Sequence, residues 1–151
     1  MSSNEVRWLT LPQQRVWRAF LDGVAHIQEG LDADLRAYGL DLAEYEILVR
    51  LSESEGRARR MSDLASAARQ SRSRLTHTVT RMERKGLVTR TPCPDDRRGV
   101  IATLTDDGYA LLERAAPKHV EGVRRLLVDA VAPDDYEALG RAMRAVAEVQ
   151  D

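Results

Sequence analysis

The sequence predicts a mainly α-helical fold with a small β-hairpin wing, in which a winged helix-turn-helix is embedded between N- and C-terminal dimerisation helices. Apolar residues recur every three or four positions along most of the 151 residues, as in amphipathic helices. Near the middle, two short helical segments are separated by only three residues and are followed directly by two β-type runs. The length suits a single domain, with a winged-helix lobe at about 41–104 and dimerisation helices at about 8–39 and 105–150.

The N-terminal segment predicts one long helix from Leu11 to about Tyr38. Pro12 suits its first turn and Gly39 suits its C-terminal cap. Its apolar residues fall on one stripe, which consists of Val16, Phe20, Val24, Ile27, Leu31 and Leu35.

A helix-turn-helix is predicted in the middle of the chain. Asp41 and Glu44 form a capping box that opens the helix before it. A short helix with Ser62 as its N-cap ends at Ala68, and the second helix of the motif spans Arg72–Lys85. On that second helix one face is apolar and predicts burial, whereas the opposite face is polar and cationic. The apolar face consists of Leu75, Val79 and Met82, and the opposite face of Ser73, His77, Thr80, Arg81 and Arg84.

The runs at 87–92 and 100–105 predict a β-hairpin whose connecting loop forms the wing. Thr105 suits the N-cap of the next helix, with Asp106 and Asp107 in its first turn, where carboxylates favour the positive end of the helix dipole. Two amphipathic helices complete the chain. Pro117 predicts a kink in the first of them, and Pro133 predicts the start of the second.

Charge is distributed unevenly along the chain. The formal net charge is −1, yet the segment from Arg57 to Arg98 holds twelve arginines and lysines against four acids, which leaves −9 for the remainder. A basic module inside an acidic frame predicts a polyanionic partner. The alternative from charge alone is a solvated charged face.

Other function classes lack their sequence signals. The N-terminus has no apolar signal-peptide core and no apolar stretch is long enough to span a bilayer, so we expect a soluble, cytoplasmic protein. The single cysteine, Cys93, excludes an internal disulfide and a multi-cysteine zinc site. No phosphate-binding glycine loop, HExxH or nucleophile elbow is present, so we expect no enzyme, no metal and no cofactor.

A resemblance to the MarR family of bacterial transcription regulators is carried by the stretches SRSRLTHTVTRMERKGLVTR and DRRGVIATLTDDG, which are similar to that family's recognition helix and wing. Many family members place an acid and an arginine where this chain has Cys93 and Asp95. The most specific part of the match consists of Asp96, Arg98, Gly99, Val100, Leu104, Thr105 and Gly108.

The resemblance implies a homodimer that binds a palindromic operator in double-stranded DNA. It further implies a repressor that is released by a small aromatic or lipophilic effector, bound between the dimerisation helices and the DNA-binding lobe. A winged helix that binds proteins without DNA is the alternative, although such a module would not need an arginine-rich outer helix face and an arginine at the wing.

The predicted DNA contacts lie on the second helix of the motif and on the wing. Arginine donates bidentately to guanine, and hydroxyls and a helix N-terminus suit phosphates. At the wing we expect Arg98 to enter the minor groove, Asp96 to accept from its guanidinium, and Arg97 to meet a phosphate. The full set is Ser71, Arg72, Ser73, Arg74, His77, Thr78, Arg81, Asp96, Arg97 and Arg98.

Aromatic and polar side chains on the first two helices are the candidates for effector binding. Such stripes are more often core than ligand site, so the alternative is simple packing. The candidates are Trp17, Phe20, His26 and Tyr45.

Overall fold

The structure, a computed structural model, describes residues 6–150, in which six α-helices and two strands follow the predicted order and a further short strand precedes the third helix. The helices are α1 (Leu11–Leu35), α2 (Leu42–Ser52), α3 (Met61–Ala67), α4 (Arg72–Arg84), α5 (Asp106–Val123) and α6 (Pro133–Ala147). The strands are β1 (Ala58–Arg60), β2 (Val88–Cys93) and β3 (Asp96–Leu104). The predicted fold class is confirmed.

Local capping signals place the first two helices. Pro12 lies in the first turn of α1, which is followed by a 3-10 turn at Arg36–Tyr38. Gly39 ends that turn with a left-handed φ of 69°, a conformation that glycine adopts without strain. The capping box of α2 is present. The Glu44 N–H donates to Asp41 Oδ1 at 2.8 Å, and the Asp41 N–H donates to Glu44 Oε2 at 3.0 Å.

The predicted start of α3, with Ser62 as N-cap, is wrong by two residues. The helix begins at Met61 and Ser62 lies inside it, while the N-cap position is occupied by Arg60, whose side chain makes no capping hydrogen bond. The reason is β1, a strand of three residues that leads directly into α3. So short a strand shows no alternation of burial from which it could be predicted.

The three strands form one antiparallel sheet in the order β1-β3-β2. Val88 lies opposite Leu104 and Pro92 opposite Val100, and the register shifts between Pro92 and Cys93. Because β3 begins at Asp96, the wing tip is shorter than predicted, and Asp96, Arg97 and Arg98 belong to a strand. Strand β1 lies on the other side of β3, which brings Arg60 opposite Ile101.

The core is formed by α2, α3, α4, the sheet and the adjoining ends of α1 and α5. Its largest fully buried side chains are Leu35, Ile47, Leu48, Leu51, Leu64, Leu75, Met82, Val79 and Val88.

A tight junction joins the sheet to α5. Thr105 caps α5 by accepting from the Gly108 N–H, and its own hydroxyl donates to the Gly86 carbonyl at 2.7 Å. Gly108 lies against the Leu87 carbonyl, so a side chain there would collide with backbone. Leu104, Thr105 and Gly108, which belong to the motif that resembles the MarR family, therefore have a packing role at this junction.

The terminal helices leave most of their apolar stripes exposed in a single chain. In α1 only Leu31 and Leu35 are buried among the described residues, and α6 has no buried residue. Helix α5 continues through Pro117, and its irregularity comes later, as a π-helical turn at Arg124–Val128.

Candidate nucleic-acid interface

The N-terminus of α4 presents polar and cationic groups to solvent. Ser71 caps the helix by accepting from the Arg74 N–H at 3.2 Å, and its hydroxyl lies 3.3 Å from that of Ser73. Ser71, Arg72, Ser73 and Arg74 are all exposed. Free N–H groups and the positive dipole end of the helix lie at the same point, which makes this end suited to a phosphate.

The outer face of α4 follows from the burial of its inner face. Leu75, Val79 and Met82 lie in the core, so His77 is exposed on the opposite side, as predicted. Thr78, in contrast, is only 3% exposed, and its hydroxyl donates to the Arg74 carbonyl. Its prediction as a DNA contact is wrong, because position 78 adjoins Val79 and lies one turn from Leu75, on the flank that packs inward.

Arg81 is exposed but already has partners. Its Nη2 donates to Asp41 Oδ2 at 2.8 Å, and its Nε lies 3.6 Å from Glu44 Oε1. The carboxylate of Glu44 is 2% exposed and also accepts from Lys85. The Arg81 side chain thus lies between α4 and α2, a contact that the spacing of residues along α4 does not predict.

At the wing, Asp96, Arg97 and Arg98 are exposed at the start of β3. Asp96 does not hold the Arg98 guanidinium as predicted. Its Oδ1 accepts from the Arg98 backbone N–H at 3.0 Å, and its Oδ2 lies 3.9 Å from the Arg60 guanidinium. The reason is β1, which brings Arg60 alongside β3.

An open groove of about 400 Å³ lies between the wing and the helices α3 and α4. Its walls include the cationic side chains of Arg60, Arg72, Arg90 and Arg98. Arg90 pairs with Glu83 at 3.0 Å, and this hydrogen bond lowers the pKa of the Glu83 carboxyl. Arg72 and Arg98 form no ion pair within residues 6–150, so both charges are available to an anion in the groove.

The groove shows that α4 and the wing share one cationic face. Sequence reasoning missed two of its arginines, Arg60 and Arg90, because it followed α4 and the wing tip only. The β-type pattern of residues 87–92 predicted that Arg90 lies in a strand beside the wing, whereas no pattern in the sequence predicted β1.

The four candidate effector residues do not share one enclosed environment. The rings of Trp17 and Phe20 stack at 6.0 Å on the exposed part of α1, and His26 is exposed as well. Tyr45 is only 6% exposed. Within one chain, three of the candidates are thus exposed and one is buried, and their grouping into one effector site stays a prediction.

Tyr45 instead stacks on His119 of α5, with 4.3 Å between the ring centroids. Burial raises the pKa of the Tyr45 hydroxyl and lowers the pKa of His119, against which Asp34 acts in the opposite direction. The Nδ1 atom of His119 is buried without a hydrogen-bond partner in the described part of the chain. Sequence reasoning missed His119, although its spacing from Leu112 and Ala115 places it on the buried face of α5.

Within residues 6–150 no helix is long and apolar enough to cross a membrane, and no group of three His, Cys, Asp or Glu side chains is arranged to hold a metal ion.

Comparison with known proteins finds one matching family model and several similar proteins. The family model described as MarR family matches residues 38–99. AbsC, a MarR family transcriptional regulator from Streptomyces coelicolor, is 48% identical over 95% of this chain and 97% of its own, with a TM-score of 0.89. Sco3205, a MarR family regulator from the same organism solved in complex with DNA, is 44% identical over 97% of this chain and 92% of its own, with a TM-score of 0.91.

A curated relative, the HTH-type transcriptional regulator PecS of Dickeya dadantii strain 3937, is 35% identical over 102 residues. These cover 67% of this chain and 61% of PecS, so the chain matches about three fifths of that relative.

Proposed function

Because this chain belongs to the MarR family of transcriptional regulators, we propose that it binds a palindromic operator in double-stranded DNA as a homodimer and represses the adjacent gene. Members of this family are transcription regulators and not enzymes.

The observation that carries DNA binding is the cationic face shared by α4 and the wing. Arg72 and Arg98 line one groove without an ion-pair partner in residues 6–150, and Arg74 is exposed beside them. A helix of this width enters the major groove, while a wing reaches the backbone or the adjacent minor groove. We therefore retain Arg74 and His77 as candidates for base contact, and Arg97 and Arg98 as candidates for the wing.

Dimerisation is supported by the apolar surface of the terminal helices. Val16 is 71% exposed, Trp17 52% and Val146 63%. Exposed apolar side chains on this scale mark a surface that a partner covers. A two-fold dimer would present two recognition helices about 34 Å apart, one turn of DNA, which matches a palindrome.

The proposed regulator binds a small effector and is located in the cytoplasm. We place the candidate effector site where α5 packs on α2, near the stacked Tyr45 and His119, and expect a small aromatic or lipophilic ligand there. Binding of a phenolic ligand panel to the wild type, Tyr45→Phe and His119→Phe tests this placement, and ligand affinities that are the same in all three proteins would contradict it. A regulator of this kind acts on chromosomal DNA in the cytoplasm.

Selection of preferred sequences from a random DNA pool tests the proposed function directly. The expected result is enrichment of an inverted repeat, because two identical subunits read two identical half-sites. Enrichment of a sequence without two-fold symmetry would contradict the homodimer model. A pool without enrichment, together with protein partners captured on the same face, would favour the winged helix as a protein-binding module.

A further inference from the structure

Cations at the two ends of α4, the proposed recognition helix, differ in whether they pair with carboxylates of the same chain. Near its N-terminus, Arg72 and Arg74 form no ion pair within residues 6–150. At its C-terminal end, Arg81 and Lys85 reach across to two carboxylates at the start of α2, those of Asp41 and Glu44. The charges of this second group balance, two positive against two negative, whereas Arg84 on the same turn is exposed and forms no ion pair within residues 6–150.

Lys85 and Glu44 form a fixed contact. The Lys85 Nζ donates to both carboxylate oxygens of Glu44, at 2.8 and 3.0 Å, and to the Gly39 carbonyl at 2.8 Å. Because the Glu44 side chain is 2% exposed, its charge needs these partners. The contact therefore anchors the end of α4 to the start of α2.

Asp41 and Arg81 form a different kind of contact. Their side chains are 42% and 47% exposed, and they meet through one 2.8 Å hydrogen bond. Pairs this exposed contribute little to stability, because water and salt screen both charges. Asp41 thus holds Arg81 in one position, but an anion from solution can exchange with it.

Asp41 also lies on the face that the proposed function turns toward DNA. It lines an open groove of about 400 Å³ together with Arg74, His77 and Arg81. A phosphate that approached Arg81 would have to replace the Asp41 carboxylate as its partner.

We propose that Asp41 is a positioning residue that holds Arg81 away from the DNA backbone and thereby limits binding to DNA of the wrong sequence. The inference rests on the proposed function. Phosphate contacts contribute to affinity for every sequence alike, whereas base contacts contribute only at the operator. Withholding one cation per subunit from the phosphates lowers non-specific affinity more than operator affinity.

The variant Asp41→Asn tests the proposal with little disturbance of the fold. Asparagine is an equally good N-cap, and its amide oxygen can still accept from the Glu44 N–H. With a random-sequence DNA duplex as the probe, we expect affinity to rise about threefold at low salt, the amount a weak ion pair can withhold. The slope of log affinity against log salt should steepen by about 0.9 for each additional phosphate that the variant neutralises.

Two further variants separate the mechanism from a general change of charge. Asp107→Asn removes the same charge from an exposed residue in the first turn of α5 that forms no ion pair within residues 6–150, and should leave the salt slope unchanged. Adding Arg81→Ala to Asp41→Asn should abolish the rise in affinity, because the released cation is then missing.

A rise in affinity that survives Arg81→Ala would overturn the proposal, since Asp41 would then act by its own repulsion of phosphate. An unchanged salt slope in Asp41→Asn would overturn it as well. Failure of the proposed function is a separate outcome, because the wild-type protein would then fail to bind any duplex from the selected pool.

Discussion

The winged-helix lobe and the terminal helices both consist of amphipathic sequence, but they differ in how far their apolar side chains are buried. In the lobe, Leu48, Leu64 and Val79 are fully buried within one chain. In the terminal helices, Val16 and Val146 are 71% and 63% exposed. The lobe therefore completes its core within one chain, together with the adjoining ends of α1 and α5, whereas the rest of the terminal helices presents a surface that a second copy covers in the proposed dimer.

The largest expected difference between the two regions concerns the free energy of unfolding. Leu48→Ala should lower it by about 2–5 kcal/mol, because a buried leucine leaves a cavity. Leu21→Ala on α1, where Leu21 is 45% exposed, should lower it much less. Urea unfolding of both variants measures the two losses. Equal losses would show that α1 is as much part of the folded core as α2.

The second prediction concerns dimerisation. Val146→Asp places a charge in the apolar stripe of α6 and should convert the dimer to monomers in sedimentation equilibrium. Operator affinity should fall at least about tenfold, because one subunit reads only half of the site.

Ala145→Asp provides the matched control, because position 145 is exposed and points away from that stripe. A dimer that persists in Val146→Asp, or an equal effect in Ala145→Asp, would exclude α6 as the interface.

The third prediction concerns the charged face of the lobe. Arg98→Ala should weaken operator binding by about tenfold at fixed salt, since it removes a proposed contact to DNA and no internal ion pair within residues 6–150. The melting temperature should not change. Arg141→Ala, which removes a cation from exposed α6, should leave affinity unchanged. A titration in which both variants bind like the wild type would remove the wing from the interface.

The smallest expected effect concerns the contact between the two regions, where His119 of α5 stacks on Tyr45 of α2. Burial lowers the pKa of His119 in the folded protein, so the unfolded chain binds its proton at a higher pH. Stability should therefore fall as the pH drops through about 6.5, the ordinary value for histidine, and level off below the folded value.

The variant His119→Phe keeps an aromatic ring for the stack but does not titrate. We expect its free energy of unfolding, measured in urea at about pH 7.5 and about pH 5.5, to fall less than that of the wild type. Identical pH dependence in the two proteins would mean that His119 does not contribute to it.

Sequence alone determined the features that depend on neighbours three or four residues apart. The caps at Asp41 and Thr105 lie where the sequence predicts them, because each joins a side chain to an N–H within its own first helical turn. The same local periodicity predicted the fold class and the exposed cationic face of α4.

Tertiary structure decided which of the predicted site residues have internal partners. Arg81 meets Asp41 across 40 residues, and Asp96 meets Arg60 through a strand too short to predict. Tyr45 meets His119 because α5 packs that ring on it, a contact that the sequence did not indicate. Periodicity assigns a side chain to a face of a helix, but its partner depends on which other element packs against that face, and the packing is set by the whole chain.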